Sequence, residues 1–319
     1  MPSTMQAMAV PALGPPSTLT LVTLPLPAPG PGQVRIKVVA ASVNPAELKT
    51  ISGETGLLHA KAFPMVTGWD YSGVVDALGA GVTALALGAE VFGFLPYSRR
   101  TRQGSFAQFV LASADQLAAK PAGVSHLQAA AAATVGITAL QALRNAGLKA
   151  GQRVLVTGAS GGVGALAIGI AQRLGASVDA LSSKPHLEAV RGLGAQQVWD
   201  RQDPAWMAAA AGRYDVILDA TGRLGYGRLR PLLTPGGRHV TTLPSLPFLV
   251  DLLSSRLRGQ KAGMVICKSV PADLAQLAQW MEAGLAVPVA QTYPLAQLAE
   301  ALTRLQAGDL FGKLAVQVA

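Results

Sequence analysis

Hydrophobic and polar positions alternate at close spacing through the first third of the chain. "GQVRIKVVAASV", "GVVDALGAGV", "GAEVFGFL" and "GSFAQFVLAS" are short apolar runs separated by Gly and turn residues, the pattern of strands joined by tight turns. From "SHLQAAAAATVGITALQAL" onward the period lengthens. Ser125 stands where an N-cap belongs and Gln128 at the capping-box position, so a helix is predicted to begin there. Strands and helices then alternate: "RVLVTG", "GVGALAIGIAQRLG", "ASVDALSS", "HLEAVRGLG", "AQQVWD", and later "YDVILDATG" and "GGRHVTTL". Such alternation implies a parallel sheet covered by helices on both faces. Past residue 262 two more helices, in "ADLAQLAQWMEAG" and "LAQLAEALTRLQAG", precede a terminal strand in "GKLAVQV". The predicted class is α/β. A β-rich domain over 1–121 is rejoined by 263–319, and a doubly wound parallel-sheet domain occupies 122–262.

Composition narrows the class. The chain has 319 residues, half of them hydrophobic and only 13% charged, so two compact domains are expected and disorder is excluded. The first residues show no basic segment followed by an apolar core, and Ala129–Leu140 is too short to span a bilayer. A cytoplasmic protein with no membrane association is expected. The single cysteine, Cys267, rules out an internal disulfide framework and a cysteine-built zinc site. In the apolar run "GMVICKS" it reads as a buried, inert thiol. A net charge of +9 raises the question of nucleic acid. The tightest basic cluster, Arg99 to Arg102, has no interleaved aromatic residues and reads as a solvated loop. That argues against nucleic-acid binding, and a polyanionic cofactor would use some of the remaining charge.

The chemistry begins at "VLVTGASGGVG", residues 154–164, a strand running into a glycine turn and then a helix. Counted as Gly-x-Gly-x-x-Gly, the second and third glycines are Gly161 and Gly164, while Ala159 takes the place of the first. Gly158 and Gly162 add turn freedom. The helix start presents free N–H groups to an anion, so Ala159, Ser160, Gly161, Gly162 and Val163 are expected to cradle a pyrophosphate.

An NAD site would place an acid at the end of the next strand, about 20 residues on. The segment there is "LSSKPH": Ser182, Ser183 and Lys184 stand in for the carboxylate, and Asp179 falls three residues early. Hydroxyls and an ammonium suit a 2′-phosphate, so NADPH is expected in preference to NADH, with Arg201 and His186 adding charge. The plainer reading makes Lys184 a solvated turn residue. "TGASGGVG" also fits the short-chain dehydrogenase loop, which needs a downstream Tyr-x-x-x-Lys. Tyr214, Tyr226 and Tyr293 are followed four residues on by Leu218, Arg230 and Gln297, so that reading fails.

With "SVNPAELK", "FPMVTGWDYSGVV", "GSFAQFVLASADQLAAKPAGVS", the "SGGVG" loop, "PGGRHV" and "FGKLAV" taken together, nearly the whole chain resembles a zinc-less medium-chain dehydrogenase/reductase of the NADPH:quinone oxidoreductase branch. The resemblance implies a GroES-like β-rich domain plus a Rossmann domain. It implies that Asn44 orients the nicotinamide or the acceptor carbonyl, the alternative being an Asx-turn before Pro45. It further implies that Thr134 faces the nicotinamide, that Thr221 in "DATG" contacts the cofactor, and that Phe311, Gly312 and Lys313 close over the nicotinamide. As a plain helix residue Thr134, and as a surface charge Lys313, have other readings. A homodimer through "GQKAGMVIC" is expected as well.

Zinc alcohol dehydrogenases carry Gly-His-Glu where this chain has Gly68-Trp69-Asp70, a cysteine ligand in the region of Asn44, and a four-cysteine lobe in place of "LPYSRRTRQ". No metal is therefore expected. Without a Lewis acid, hydride transfer suits an electron-poor acceptor, a quinone or an α,β-unsaturated carbonyl, with solvent supplying the proton. Thr50 and Ser52 stand where some members have a quinone-facing tyrosine, and Tyr97 and Trp69 are candidate lining residues. The alternative is an NADPH-sensing or RNA-binding protein of the same fold with vestigial catalysis.

Overall fold

The computed structural model describes residues 3–55, 63–97, 103–243 and 248–319; the Arg99 to Arg102 cluster lies outside them. The chain packs as two compact units. One comprises Met1–Thr134, Lys268–Gly284 and Val289–Ala319, and the other Val135–Cys267 and Leu285–Pro288. The first division falls after Thr134 and the second after Cys267, against 121 and 262 expected from the sequence pattern, and Leu285–Pro288 joins the second unit.

That unit contains β1 (Thr4–Val10), β2 (Thr20–Pro25), β3 (Gln33–Ser42), α1 (Pro45–Ile51), β4 (Met65–Val66), β5 (Asp70–Leu78), β6 (Glu90–Phe94), β7 (Phe109–Ser113) and β8 (Leu117–Ala119). α2 (His126–Asn145) then begins at the predicted cap. Gln128 N–H donates to Ser125 Oγ at 3.2 Å, and Ser125 N–H donates to Gln128 Oε1 at 3.2 Å.

The other unit runs β9 (Arg153–Thr157), α3 (Gly162–Arg173), β10 (Ser177–Ser182), α4 (Leu187–Gly192), β11 (Gln197–Asp200), α5 (Trp206–Ala209), β12 (Tyr214–Asp219), α6 (Gly225–Leu229), β13 (Leu233–Thr241), α7 (Phe248–Leu257) and β14 (Lys261–Met264). The chain closes with α8 (Pro271–Glu282), β15 (Val289–Pro294), α9 (Leu298–Ala307) and β16 (Lys313–Gln317).

In the β-rich unit a seven-stranded sheet runs β15-β16-β3-β5-β6-β8, with β7 also paired to β3, beside a three-stranded sheet β2-β1-β4. The last strand pairs antiparallel with one of the first: Ala315 opposes Ser42 and Val316 opposes Ala41. This register sets Lys313, at the start of β16, near the end of β3 and the Val43–Asn44 corner. α9 buries Leu298, Ala301 and Leu302, the i, i+3, i+4 stripe that lays a helix on a core.

The other unit is a six-stranded parallel sheet in the order β11-β10-β9-β12-β13-β14. Val154, Leu155 and Val156 of β9 are all fully buried, as a central parallel strand covered on both faces requires. The order reverses between β9 and β12, and ligands of such sheets bind at the carboxyl ends beside that reversal. One expectation changes here. Cys267 is only half-buried and follows β14 without belonging to it, since the ladder to β13 ends at Met264.

Candidate functional site

Beyond Thr157 the chain turns through Gly158, whose φ is +66°. A side chain there would be strained, and its Cβ would meet Thr221 Cγ2 at 2.4 Å. Ala159 is not in the left-handed region, so the turn normally made by the first glycine is made one residue earlier. Gly161 is the N-cap of α3, and a Cβ on it would meet only Gly158 O, at an ordinary 3.4 Å. Gly164 is required for packing: a Cβ there would come within 2.3 Å of Gly158 O. No acidic residue lies in the first turn of α3, which leaves its N–H groups and positive dipole end to an anion.

Beside this loop a cavity opens at the carboxyl ends of β9, β10 and β12. Ser160, Ser182, Ser183, Arg201, Arg223 and Arg228 supply its polar wall, and Leu181, Trp206 and Leu224 are the apolar part. No carboxylate of the described residues lines it. Ser182 is 3% exposed, and its Oγ has no hydrogen-bond partner among the described residues. A buried orphan hydroxyl of this kind costs stability unless a ligand satisfies it. None of the three guanidinium groups pairs with a carboxylate of the described residues. The cavity thus gathers Ser160, Ser182, Ser183, Arg201 and Thr221 of the expected set. Lys184 is exposed at the start of a 3-10 turn and is not in its wall. Arg223 and Arg228 were missed by the sequence reading. The only signal for them is their position just past "DATG", at the end of a strand adjacent to β9.

Two buried acids hold this site without entering it. Asp179, in β10, accepts from Arg153 Nη2 at 3.3 Å and from the Tyr214 hydroxyl at 3.0 Å, which itself accepts from Trp199 Nε1 at 3.0 Å. Both its oxygens are committed within the sheet. Burial pushes the Tyr214 phenol well above its usual pKa. Asp219 accepts from Thr157 Oγ1 at 2.7 Å, Thr221 Oγ1 at 3.0 Å, Gly222 N at 3.1 Å and Gly225 N at 3.2 Å. It thereby fixes the loop that carries Thr221 and Arg223.

The remaining expected residues form a second cluster in the β-rich unit. Asn44 caps α1: its N–H donates to Glu47 Oε2 at 2.7 Å. Its Nδ2 donates to Asp70 Oδ2 at 2.9 Å and to Glu47 Oε1 at 3.3 Å, while its Oδ1 accepts from Lys313 Nζ. Lys313 also donates to Val43 O at 2.7 Å and is 5% exposed, so the surface-charge reading of this lysine is excluded. Asp70 accepts further from Ser42 Oγ and from the Thr134 main-chain N–H, the latter at 2.9 Å. Asn44 and Thr134 are therefore joined through one carboxylate. The Asn44 amide is engaged by the protein itself, beyond a simple Asx-turn.

Burial lifts the Glu47 carboxyl to about 8 and lowers the Lys313 ammonium. Gly312 is in the left-handed region at φ +89° and Phe311 is half-buried. Thr50 donates to Ala46 O within its own helix, at 2.8 Å. Trp69 stacks on Tyr97 with centroids 4.8 Å apart.

These residues do not fit zinc. An indole offers no lone pair where a histidine ligand would stand, and Lys313 Nζ lies 3.6 Å from Asp70 Oδ2, placing a protein cation beside the carboxylate. Among the described residues no three His, Cys, Asp or Glu side chains group as a ligand set.

Known proteins resemble the chain throughout. The alcohol dehydrogenase GroES-like domain family matches residues 30–122, and the zinc-binding dehydrogenase family matches 193–316. Mitochondrial NAD(P)H oxidoreductase RTN4IP1 of Mus musculus is 32% identical over 324 residues, covering 89% of this chain and 81% of that protein. The chloroplastic quinone-oxidoreductase homolog of Spinacia oleracea is 27% identical over 88% of each chain. The solved quinone oxidoreductase of Coxiella burnetii superposes with a TM-score of 0.89 at 29% identity, covering 99% of this chain and 100% of that one. The compartments in the first two names differ from the cytoplasmic location expected from the sequence. Among the described residues no helix is long and apolar enough to cross a membrane. A likeness that runs through both units places the chain in the medium-chain dehydrogenase/reductase family: it belongs to the quinone oxidoreductase branch and is an NAD(P)H-dependent oxidoreductase.

Proposed function

We propose that the protein uses NADPH to reduce quinones or α,β-unsaturated carbonyls, without a metal ion. The observation that carries the cofactor choice is the acid-free cavity walled by Arg201, Arg223 and Arg228, with the orphan hydroxyl of Ser182 at its back. A carboxylate would bond the two ribose hydroxyls of NADH and repel a 2′-phosphate; guanidinium groups do the reverse. When bound, the reduced nicotinamide supplies the hydride. The α3 N-terminus and Gly161 would receive the pyrophosphate, the arginines the 2′-phosphate, and Leu181, Trp206 and Leu224 the apolar adenine face.

The metal-free reading rests on the donor set around Asp70, although one matched family carries a zinc-binding description. Where no Lewis acid polarises the acceptor, the acceptor itself must be electron-poor. A quinone takes one hydride and one proton to become a hydroquinone, and an enone becomes a saturated carbonyl compound in the same way. The protein's part is to orient the reactants and exclude water.

The quaternary partner that the resemblance implies, a second copy, has support too in the sheet edge: β14 ends the six-stranded sheet, and Val250, Leu253, Leu257 and Ile266 are each more than 60% exposed. We therefore propose a homodimer. Turnover of NADPH with 1,4-quinones and enals tests the activity. Tight NADPH binding with no oxidation across a broad acceptor panel would favour a sensing role instead.

A further inference from the structure

The cavity at the carboxyl ends of β9, β10 and β12 lies within the parallel-sheet unit, and it is more basic than one bound phosphate needs. Arg201, Arg223 and Arg228 line it, and the acids nearest to them in sequence are turned elsewhere. Asp200 and Asp203, on either side of Arg201, accept from the main-chain N–H groups of Gln202 and Ala205 at 3.0 and 2.9 Å. Asp219, ahead of Arg223, accepts from Thr157, Thr221, Gly222 and Gly225. A phosphate monoester carries about −1.5 to −2 charges at neutral pH. The guanidinium groups of the wall bring three positive charges that no protein pH removes.

The arginines also reach the cavity from opposite flanks. Arg201 follows β11, and its main-chain N–H donates to Ser182 O at 2.9 Å, which seats it at the end of β10. Arg223 follows β12, where its N–H donates to Thr221 Oγ1 at 3.2 Å, and Arg228 lies in α6. In the order β11-β10-β9-β12 the two flanks stand roughly 14 Å apart at the usual strand spacing. The main chain is held on each side, while the long side chains stay exposed. Ser182 ends β10, between the flanks, with its orphan hydroxyl. A serine hydroxyl donates to a phosphate oxygen or accepts from a ribose hydroxyl. It therefore serves a 2′-phosphate beside a free 3′-hydroxyl as well as the reverse arrangement. Rejecting one of two isomers requires a repulsive or unsatisfied group, and no carboxylate of the described residues supplies one here.

We propose that the cavity takes adenosine nucleotides with a monoester phosphate on either the 2′ or the 3′ carbon, so that 3′-phosphoadenosine diphosphates, the head-group class of coenzyme A, bind it in competition with NADPH. The proposal rests on the NADPH reading above and adds a regulation to it: an abundant 3′-phosphate nucleotide keeps the reductase without its cofactor. The 5′-diphosphate of either class meets the α3 N-terminus, and the base, identical in both, meets the apolar wall of Leu181, Trp206 and Leu224.

The test uses the full-length protein and three ligands that lack nicotinamide: adenosine 2′,5′-bisphosphate, adenosine 3′,5′-bisphosphate and adenosine 5′-monophosphate. Each is titrated by calorimetry and then used as a competitor against bound NADPH, followed by its fluorescence. Both bisphosphates should displace NADPH and bind at least about tenfold tighter than the monophosphate, the scale of one charge-assisted contact. A 3′ isomer that binds no better than the monophosphate, while the 2′ isomer keeps its gain, overturns the proposal. So does a 3′ isomer that binds without displacing NADPH, since it then sits elsewhere. If neither bisphosphate gains over the monophosphate, the 2′-phosphate reading itself fails, and this proposal with it. A double variant, Arg201→Ala with Arg223→Ala, removes one exposed guanidinium from each flank. It should shrink the gain of both isomers by at least about fivefold, and an unchanged gain for the 3′ isomer overturns the proposal.

Discussion

The ammonium of Lys313 donates to the amide oxygen of Asn44, 269 positions earlier in the chain, at a point where both residues are 5% exposed. With Asp70 and Glu47 they make a buried group of two acids and one base. Its charge balance and its protons can be tested directly.

Replacing Lys313 with Met leaves Asp70 without its cation. Removing one partner of a buried pair costs roughly 3–5 kcal/mol. Urea denaturation of Lys313→Met at neutral pH should show a loss of this size, and a loss close to zero would mean that the lysine does not balance the buried acids.

Glu47 gives the group a pH dependence. Burial is the larger cause of its rise from 4.5 to about 8, opposed by Lys313. The folded chain thus holds a proton that the unfolded chain has already released. The stability from this group is complete below 4.5 and is lost as pH rises through about 8. Glu47→Gln should flatten that alkaline decline in denaturation midpoints measured across the range. An unchanged slope would assign the decline elsewhere.

His239 in β13 works in the opposite sense. It is 3% exposed, neither ring nitrogen has a hydrogen-bond partner among the described residues, and burial pushes it down to about 4 against the pull of Asp219. The unfolded chain takes up a proton near 6.5 that the folded chain refuses, so stability is full above that value and is lost as pH falls towards 4. His239→Leu should reduce the acid-side loss. An acid limb identical to the parent's would contradict the assignment.

At the sheet edge, Leu253→Glu places a charge on the exposed apolar stripe of α7. Light scattering should show a dimer for the parent and a monomer for the variant. A monomeric parent would remove the proposed homodimer.

What could be read from the sequence follows how local each signal is. The turn from β9 into α3 was legible because strand, glycines and helix lie within twenty residues, and the serines at the end of β10 followed by counting. Arg223 and Arg228 were not, because they reach the cavity only when β12 lies beside β9, as the Thr157–Asp219 hydrogen bond across 62 positions records. Lys184 has the right charge in the right segment, but the chain turns at Ser183 and leaves it in solvent. The Asn44 motif and Lys313 were each visible, whereas their pairing was not, since it depends on β16 returning to β3. Cys267 was misplaced because an apolar run continues past the point where its strand loses a neighbour.

The central claim is that the arginine-walled cavity reads a 2′-phosphate. Fluorescence titrations of NADPH and NADH against the purified protein and its Arg228→Ala and Lys184→Ala variants test it most directly. The account predicts tighter binding of NADPH in the parent. Arg228→Ala should weaken NADPH by about 1–3 kcal/mol and leave NADH nearly unchanged, with a smaller effect for Lys184→Ala. Equal affinities in the parent, or a preference untouched by Arg228→Ala, would contradict it.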